Sequence, residues 1–238
     1  MQAPELLNTA DAPITRTIPS GNHQVLEAVL HASILDEHVG TLVERLRGIC
    51  DPVFSSFEEH EMVFALKTGE GPDILVHFRR KLTHEPSLWH CRYVGTPIPD
   101  NGNLFAICRQ STDSIVYSKD LMEFVKSIGL RLEYEFVARG KVFTRGPIKI
   151  LVFKTFTTEK IGNYSKDNLK PLLESYLVEA MIPIENEDGP KYSKQLKDFC
   201  DQLAPFVFFI DVLMIHGTFF RLVQFRKIDY TQRSRVPY

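Results

Sequence analysis

Residues 131–156 carry the clearest β-strand pattern in the chain and restrict its fold the most. Over residues 131–136 apolar side chains alternate with charged ones, which is the period of a strand. Arg139-Gly140 and Arg145-Gly146-Pro147 have the composition of tight turns. The pattern therefore predicts three strands joined by short turns in an antiparallel meander, the last strand running from Ile148 to Phe156.

The rest of the chain adds more strands and three helices. Alternating apolar residues predict strands over residues 24–34, 62–66, 74–79, 89–93, 104–109, 114–117 and 173–182. Helical spacing predicts one helix that begins after Asp36 and ends near residue 50, one that begins after Ser118 and stops at Gly129, and one that begins near Ser193 and ends at Pro205. The order of the strands along the chain is typical of hairpins, so we expect an α+β fold built on a large antiparallel sheet or a closed barrel.

Length and composition suggest one principal domain. Residues 1–22 are rich in Pro, Thr and Ala without any period, which predicts a flexible tail and no secretory signal. We expect a single domain over residues 23–205 and a divergent C-terminal segment over residues 206–238. The formal net charge of −2 gives no support for nucleic acid as a direct ligand.

No sequence motif marks a catalytic or metal site. The four cysteines and eight histidines are scattered, without C-x-x-C or H-E-x-x-H spacing. The chain also has no P-loop, G-x-S-x-G or G-x-G-x-x-G motif. We therefore predict no catalytic, cofactor-binding or metal-binding residue, and periodicity does not identify the residues that contact partners.

Several short segments, in order and at similar spacing, resemble the Mediator subunit 18 family over about residues 24–207. In chain order the segments are Ser33-Ile34-Leu35-Asp36, Arg45 to Asp51, His60 to Phe64, Trp89 to Gly95, Gly129-Leu130-Arg131, Glu135 to Gly140, Ser175 to Glu179, Asp201-Gln202-Leu203 and Pro205-Phe206-Val207. No single segment is specific, and the resemblance rests on their combination.

The resemblance implies a fold and a set of partners. It implies a mainly antiparallel β-barrel of about eight strands, triphosphate-tunnel-like in architecture, with about three flanking helices. It also implies a non-catalytic subunit of the Mediator coactivator complex in the nucleus, which bridges regulatory factors to the RNA polymerase II machinery. The expected partners are Mediator subunit 20, the C-terminal helix of Mediator subunit 8 and other head-module subunits, without a membrane or sequence-specific nucleic acid.

The C-terminal segment departs from the family pattern. Residues 206–220 contain eleven apolar residues of fifteen, and Arg226-Lys227-Ile228-Asp229 then resembles the family's close. The segment is shorter than the roughly 20 apolar residues of a membrane span and carries Asp211, so a span is disfavoured. A true insertion, an isoform feature and a gene-model artefact remain open.

The enzymatic alternative is a metal-dependent phosphohydrolase of the triphosphate-tunnel type. Such enzymes point Glu residues at alternate strand positions into the bore, and Glu133-x-Glu135 has that spacing, with Arg131, Lys149 and Lys154 nearby in sequence. The same strand is explained equally well by a buried face of Leu132, Tyr134 and Phe136. The N-terminal strand offers only Glu27, so we expect a bore without the acid-and-lysine lining that hydrolysis requires.

The basic residues leave two interpretations open. Arg45, Arg47 and the run Arg79-Arg80-Lys81 are read first as solvated faces of a helix and a strand. The alternative is a basic patch on which an acidic segment of a partner docks.

Overall fold

The protein is described by a computed structural model that covers residues 24–67, 69, 73–82, 88–99, 102–116, 120–160, 162–185 and 188–207. The predicted tail over residues 1–22 and residues 208–238 of the C-terminal segment lie outside this described part. The nine strands are β1 (Gln24–Leu35), β2 (Ser55–Leu66), β3 (Ile74–Lys81), β4 (Trp89–Pro97), β5 (Ile107–Val116), β6 (Arg131–Arg145), β7 (Ile148–Thr158), β8 (Leu169–Pro171) and β9 (Ser175–Pro183). The three helices are α1 (Val39–Ile49), α2 (Leu121–Ser127) and α3 (Gly189–Asp201).

The strands form a closed antiparallel barrel. Their hydrogen-bonded order is β6-β2-β3-β4-β5-β1-β9-β7, and a further pairing of β6 with β7 closes the circle. The short strand β8 extends the sheet beyond β7 and lies outside this circle of eight. The predicted α+β barrel of about eight strands with three flanking helices is therefore confirmed.

The predicted three-strand meander is wrong at its first turn. Strand β6 runs through Gly140 without a break, and it pairs there with Phe57 of β2 and Phe153 of β7. A Cβ atom at Gly140 would lie 2.3 Å from the carbonyl oxygen of Val152, so the glycine permits a close approach of two strands. The second turn is as predicted, because Gly146 adopts a positive φ of 56° between β6 and β7.

A second boundary also differs from the prediction. The two short strands expected over residues 104–109 and 114–117 are one continuous strand, β5, which pairs with both β1 and β4. The polar residues 110–114 interrupt the apolar pattern without ending the strand, because hydrogen bonds on both edges hold the backbone extended.

The helices pack on the outside of the barrel in two places. The larger core lies where α1 and α3 cover the outer face of β1, β9 and β7, with Leu42, Leu46 and Leu196 fully buried against the sheet. A smaller core lies where α2 covers β2 and β3, and Phe64 and Phe78 meet edge to face at its centre with ring centroids 5.4 Å apart. The bore of the barrel is consequently left to the inward-facing side chains alone.

The helix ends correct three sequence predictions. Asp36 does not cap α1 but forms an ion pair with Lys154 of β7. Asp120 caps α2 by accepting a hydrogen bond from the Glu123 amide, whereas Ser118 lies outside the described residues. Helix α3 begins at Gly189, four residues before Ser193, because Asp188 caps it and Pro190 suits its first turn.

The apolar residues of α2 and of its C-terminal cap are only partly buried. Leu121 and Val125 pack into the smaller core, whereas Phe124 and Ile128 remain 37% and 49% exposed. None of the helices in the described part of the chain is long and apolar enough to span a bilayer.

Candidate functional site: the bore of the barrel

The barrel encloses a cavity of about 640 Å³, here called the bore, whose two walls differ in character. The charged wall is formed mainly by strands β1, β3, β4, β5 and β9 and carries His31, His77, Arg79, Arg92, Arg109 and Glu179. The apolar wall is formed by β6 and β7 together with the Phe57 ring of β2. Its other residues are Tyr134, Phe136, Ala138, Leu151 and Phe153. Strand alternation brings these side chains into the bore, since every second residue of each strand faces inward, and the residue types at those positions make the two walls different.

Glu27 is buried beside the charged wall, between two of its arginines. Its Oε2 accepts a hydrogen bond from Nη2 of Arg92 at 2.6 Å, and its Oε1 accepts one from Nε of Arg109 at 3.1 Å. Glu27 is only 5% exposed, and burial alone would raise its pKa. The two guanidinium groups outweigh burial and hold the pKa of Glu27 below its ordinary value, so the carboxylate is ionised and bridges three strands.

Glu61 is held in a second charged group across β2 and β3. Its Oε1 lies 2.6 Å from Nδ1 of His77, and its Oε2 lies 3.9 Å from Nε of Arg79. Burial would raise the pKa of Glu61, but the charge of Arg79 and the hydrogen bond from His77 keep it below its ordinary value. Burial, with Glu61 nearby, raises the pKa of Tyr134 on the neighbouring strand β6 to about 12.

The third acidic group of the bore is Glu179, whose Oε2 lies 3.7 Å from Nδ1 of His31. These two residues are direct cross-strand partners of β1 and β9. Glu27, Glu61 and Glu179 thus each face at least one basic side chain across a strand pair. Such pairs hold neighbouring strands in position relative to one another. Their carboxylates are already occupied by basic side chains, so they offer few open ligand positions to a cation.

The expectation of a bore without acidic and basic lining is therefore wrong. Glu59 and Glu61 lie at alternate positions of β2 and both face the bore, together with Lys149 of β7. Glu59-x-Glu61 was the available signal, and its spacing equals that of Glu133-x-Glu135. Sequence reasoning missed it because the apolar neighbours of β2 are concentrated at its other end, over residues 62–66.

Glu133 and Glu135 do not line the bore. The register of β6 on β2 pairs Val63 with Tyr134 but Phe64 with Leu132, so Glu133 is the extra residue of a β-bulge. The bulge turns Leu132 outward toward α2 while Tyr134 and Phe136 face inward. The predicted common face of these three residues is thus divided between the outer core and the bore.

The other basic residues of the enzymatic hypothesis are separated as well. Lys149 lines the bore, Lys154 pairs with Asp36 on the outside, and Arg131 is exposed at the start of β6. Among the residues that the structure describes, no three His, Cys, Asp or Glu side chains lie close enough to hold a metal ion together.

Glu135 belongs to a polar and aromatic cluster on the outer face of the barrel. Its Oε2 lies 3.0 Å from Nε2 of His60 and accepts a hydrogen bond of 3.0 Å from the Tyr164 hydroxyl. The rings of Tyr164 and His60 lie 4.0 Å apart, and the guanidinium of Arg80 covers the Trp89 ring at 4.8 Å. The cluster anchors the loop that carries Tyr164 onto β2 and β6.

The run Arg79-Arg80-Lys81 does not form one continuous basic face. Strand alternation directs Arg79 into the bore and Arg80 outward over Trp89. On α1, Arg47 forms an ion pair with Glu44 and lies 4.9 Å from the Phe54 ring, while Arg45 donates a hydrogen bond to the carbonyl of Gln202. The docking-patch hypothesis is therefore not supported by the placement of these side chains.

A closed antiparallel barrel with outer helices and a charged bore places the chain in the triphosphate-tunnel-like class of folds. A chain in the structure of the Schizosaccharomyces pombe Mediator head module has this fold, with a TM-score of 0.66 and 13% identity over 79% of this chain and 98% of that chain. A protein of Pyrococcus horikoshii OT3 is also similar, with a TM-score of 0.52 and 15% identity over 75% of this chain and 90% of that chain. At these identities the likeness establishes the fold alone.

Sequence comparisons identify the family. The family model described as Med18 protein matches residues 75–212. Mediator of RNA polymerase II transcription subunit 18 of Caenorhabditis elegans is 38% identical over 197 residues, which cover 80% of this chain and 84% of the relative. The protein of the same description from Danio rerio is 34% identical over 200 residues, which cover 83% of this chain and 94% of the relative. The chain therefore belongs to the Mediator subunit 18 family.

Proposed function

We propose that this protein is a non-catalytic subunit of the Mediator coactivator complex and acts in the head module through protein–protein contacts. The observation that carries the proposal is the 38% identity over 80% of the chain to a Mediator subunit 18. Support from the fold is separate, since the barrel corresponds to nearly the whole of a chain in a Mediator head module. The site of action would be the nucleus, where the complex bridges regulatory factors to RNA polymerase II.

The proposed partners are Mediator subunit 20, as a heterodimer, and the C-terminal helix of Mediator subunit 8. A helix of that kind needs a groove with apolar anchors, and a second barrel needs an apolar area to cover. The charged bore is a poor surface for either, because its charges are directed inward and most of them are paired with one another. Contacts with partners are expected on the outer face of the barrel and its helices.

The partner proposal is tested by co-expression of the chain with subunits 20 and 8, followed by affinity purification and size-exclusion chromatography. We expect one complex that contains all three proteins. Lys149→Met changes the bore alone and is expected to leave the complex intact. A folded chain that elutes by itself in the presence of both subunits would contradict the proposal.

The absence of catalysis is a separate part of the proposal. Its support is the pairing of Glu27 and Glu61 with basic side chains, which occupies the carboxylate oxygens that a metal ion would need. We expect no release of phosphate from tripolyphosphate above the blank with Mg²⁺ or Mn²⁺. Metal-dependent release that is lost in Glu61→Gln but retained in Glu133→Gln, which changes a residue outside the bore, would favour the phosphohydrolase instead.

A further inference from the structure

The bore has the size and the mixed lining of a small-molecule site. Its volume of about 640 Å³ lies within the range of roughly 300–1,000 Å³ that is typical of ligand pockets. Eight-stranded barrels are wide enough to hold one small ligand. Most of the lining is apolar, with charged groups gathered on one side, and this is the composition that binding pockets have.

Lys149 is a cation of the bore that the neighbouring ion pairs leave available for a ligand. Arg79, Arg92 and Arg109 line the bore and pair with Glu61 or Glu27, and Lys149 lines it beside them. No acidic side chain of the described residues lies within ion-pair distance of the Lys149 ammonium. Desolvation by the surrounding protein lowers the pKa of Lys149, Arg79 and Arg92 lower it further, and Glu179 and Glu59 raise it without reversing the shift, so an anion placed against the ammonium would stabilise its charged form.

The apolar side offers a continuous surface beside these cations. Tyr134 and Phe136 of β6 lie with ring centroids 6.3 Å apart and nearly parallel planes. Phe153 of β7 stands next to them across the Gly140 pairing, and Phe57 of β2 lies 6.2 Å from Phe153. A side chain at position 140 would collide with Phe153, because an added Cβ would lie 2.5 Å from the Cβ of that residue.

We propose that the bore binds a small amphiphilic anion, a carboxylate or phosphate that carries an alkyl chain or ring. The anionic head lies at Lys149, close to Arg79 and Arg92, and the apolar body lies against Phe57, Phe136 and Phe153. The site is independent of the proposed role in Mediator, since partner contacts on the outer face and a ligand in the bore use different residues. Binding requires no reaction, and no bond is made or broken.

The location is tested by nuclear magnetic resonance of the full chain with ¹³C-labelled methionine methyl groups, titrated with octanoate, octyl phosphate or 1-octanol. Met181 lines the bore, whereas Met62 packs beneath α2 and Met122 lies on the exposed side of α2. We expect a saturable shift of the Met181 signal, assigned with Met181→Leu, and little change at the other two. Saturation that shifts Met62 or Met122 but not Met181 would overturn the proposal, as would no saturation with either anion.

The role of charge is tested by isothermal titration calorimetry with the same three probes. Octanoate and octyl phosphate are expected to bind about tenfold or more tightly than 1-octanol, because a charge-assisted hydrogen bond is available only to the anions. The comparison of the two anions identifies which head group the cations prefer. Equal affinity for octanol and both anions would refute the assignment of the anionic end.

Matched variants identify the residues involved. Lys149→Met is expected to weaken both anions about tenfold and to leave octanol unchanged, and Lys149→Arg should restore anion binding. Lys170→Met removes an exposed lysine of β8 and should change nothing. Ala138→Phe fills the apolar wall and should abolish binding of all three probes, with circular dichroism to confirm the fold. Unchanged affinity for the anions in Lys149→Met would contradict the proposal.

Discussion

Substitution of Gly140 by alanine is expected to disrupt the seam that closes the barrel. Gly140 lies on β6 between its two neighbours, opposite Phe57 of β2 and Phe153 of β7. An added Cβ would lie 2.3 Å from the carbonyl oxygen of Val152, and 2.5 Å and 2.7 Å from Cβ and Cα of Phe153. Two of these three atoms are main-chain atoms, so relief requires a shift of β7 as well as a change of rotamer.

The cost follows from the size of that shift. A contact of 2.3 Å is about 1 Å shorter than an ordinary carbon–oxygen contact, and overpacking of this kind in a rigid interior costs roughly 1–3 kcal/mol or more. Since a main-chain shift at position 140 also disturbs the β6–β7 ladder, we place the loss near the upper end, at about 3 kcal/mol. For a domain of this size, that loss lowers the melting temperature by about 6–12 °C.

Thermal and urea unfolding of Gly140→Ala, followed by circular dichroism, measures the change in the free energy of unfolding. Gly48→Ala in α1 is the matched control, since no atom lies within 4 Å of the added Cβ. The control is expected to be neutral or to stabilise by about 0.5–1 kcal/mol, as alanine favours a helix over glycine. Equal stability of Gly140→Ala and wild type would refute the close-approach reasoning and, with it, the observed β6–β7 register.

Three further predictions concern titratable and polar side chains. Because the pKa of Glu27 is lowered in the folded state, the ionised carboxylate stabilises the fold above the ordinary carboxyl pKa of 4.5, and this contribution is lost as pH falls through the native pKa. Urea unfolding of Glu27→Gln should therefore show a loss of about 3–5 kcal/mol at pH 7 that shrinks below about pH 4. Tyr164→Phe removes the hydrogen bond to Glu135 and should cost about 1–1.5 kcal/mol in the same assay, whereas no change would show that the bond contributes nothing. Burial raises the pKa of Cys50 to about 11, so iodoacetamide should alkylate it slowly at pH 8 in the native protein and quickly in urea, and equal rates would contradict this.

Local alternation was sufficient to predict the strands whose two faces differ clearly. On β1, the inner and outer residues alternate over the whole of Gln24–Leu35, and the predicted strand and the observed strand agree within one residue at the C-terminal end. The contribution of α1 to the larger core was predictable as well, because Leu42 and Leu46 repeat at helical spacing. These elements needed no knowledge of their partners in the sheet.

Features that depend on neighbouring strands could not be predicted from one strand alone. Gly140 resembles a turn residue in sequence, and only the position of β7 explains why a side chain is excluded there. The bulge at Glu133 is visible only in the register against β2, and it reverses which side chains face the bore. Both features lie on β6, the strand whose pairing with β7 closes the barrel.

The lining of the bore was missed for a similar reason. Glu27 is isolated on its own strand, and its partners Arg92 and Arg109 lie 65 and 82 residues further along the chain. Charged residues that alternate with apolar ones are read as solvent-facing, yet in a closed barrel the polar face can be the inner one. The family resemblance predicted the barrel correctly, although it gave no information on which charges the barrel encloses.

The most direct test of the proposed function is affinity purification of the tagged protein from nuclear extract, followed by quantitative mass spectrometry. The account predicts that subunits of the Mediator head module are enriched at near-equal amounts with the tagged chain. It also predicts that they remain enriched with Lys149→Met, which alters only the bore. Purification of a folded, nuclear protein without other Mediator subunits would contradict the central claim.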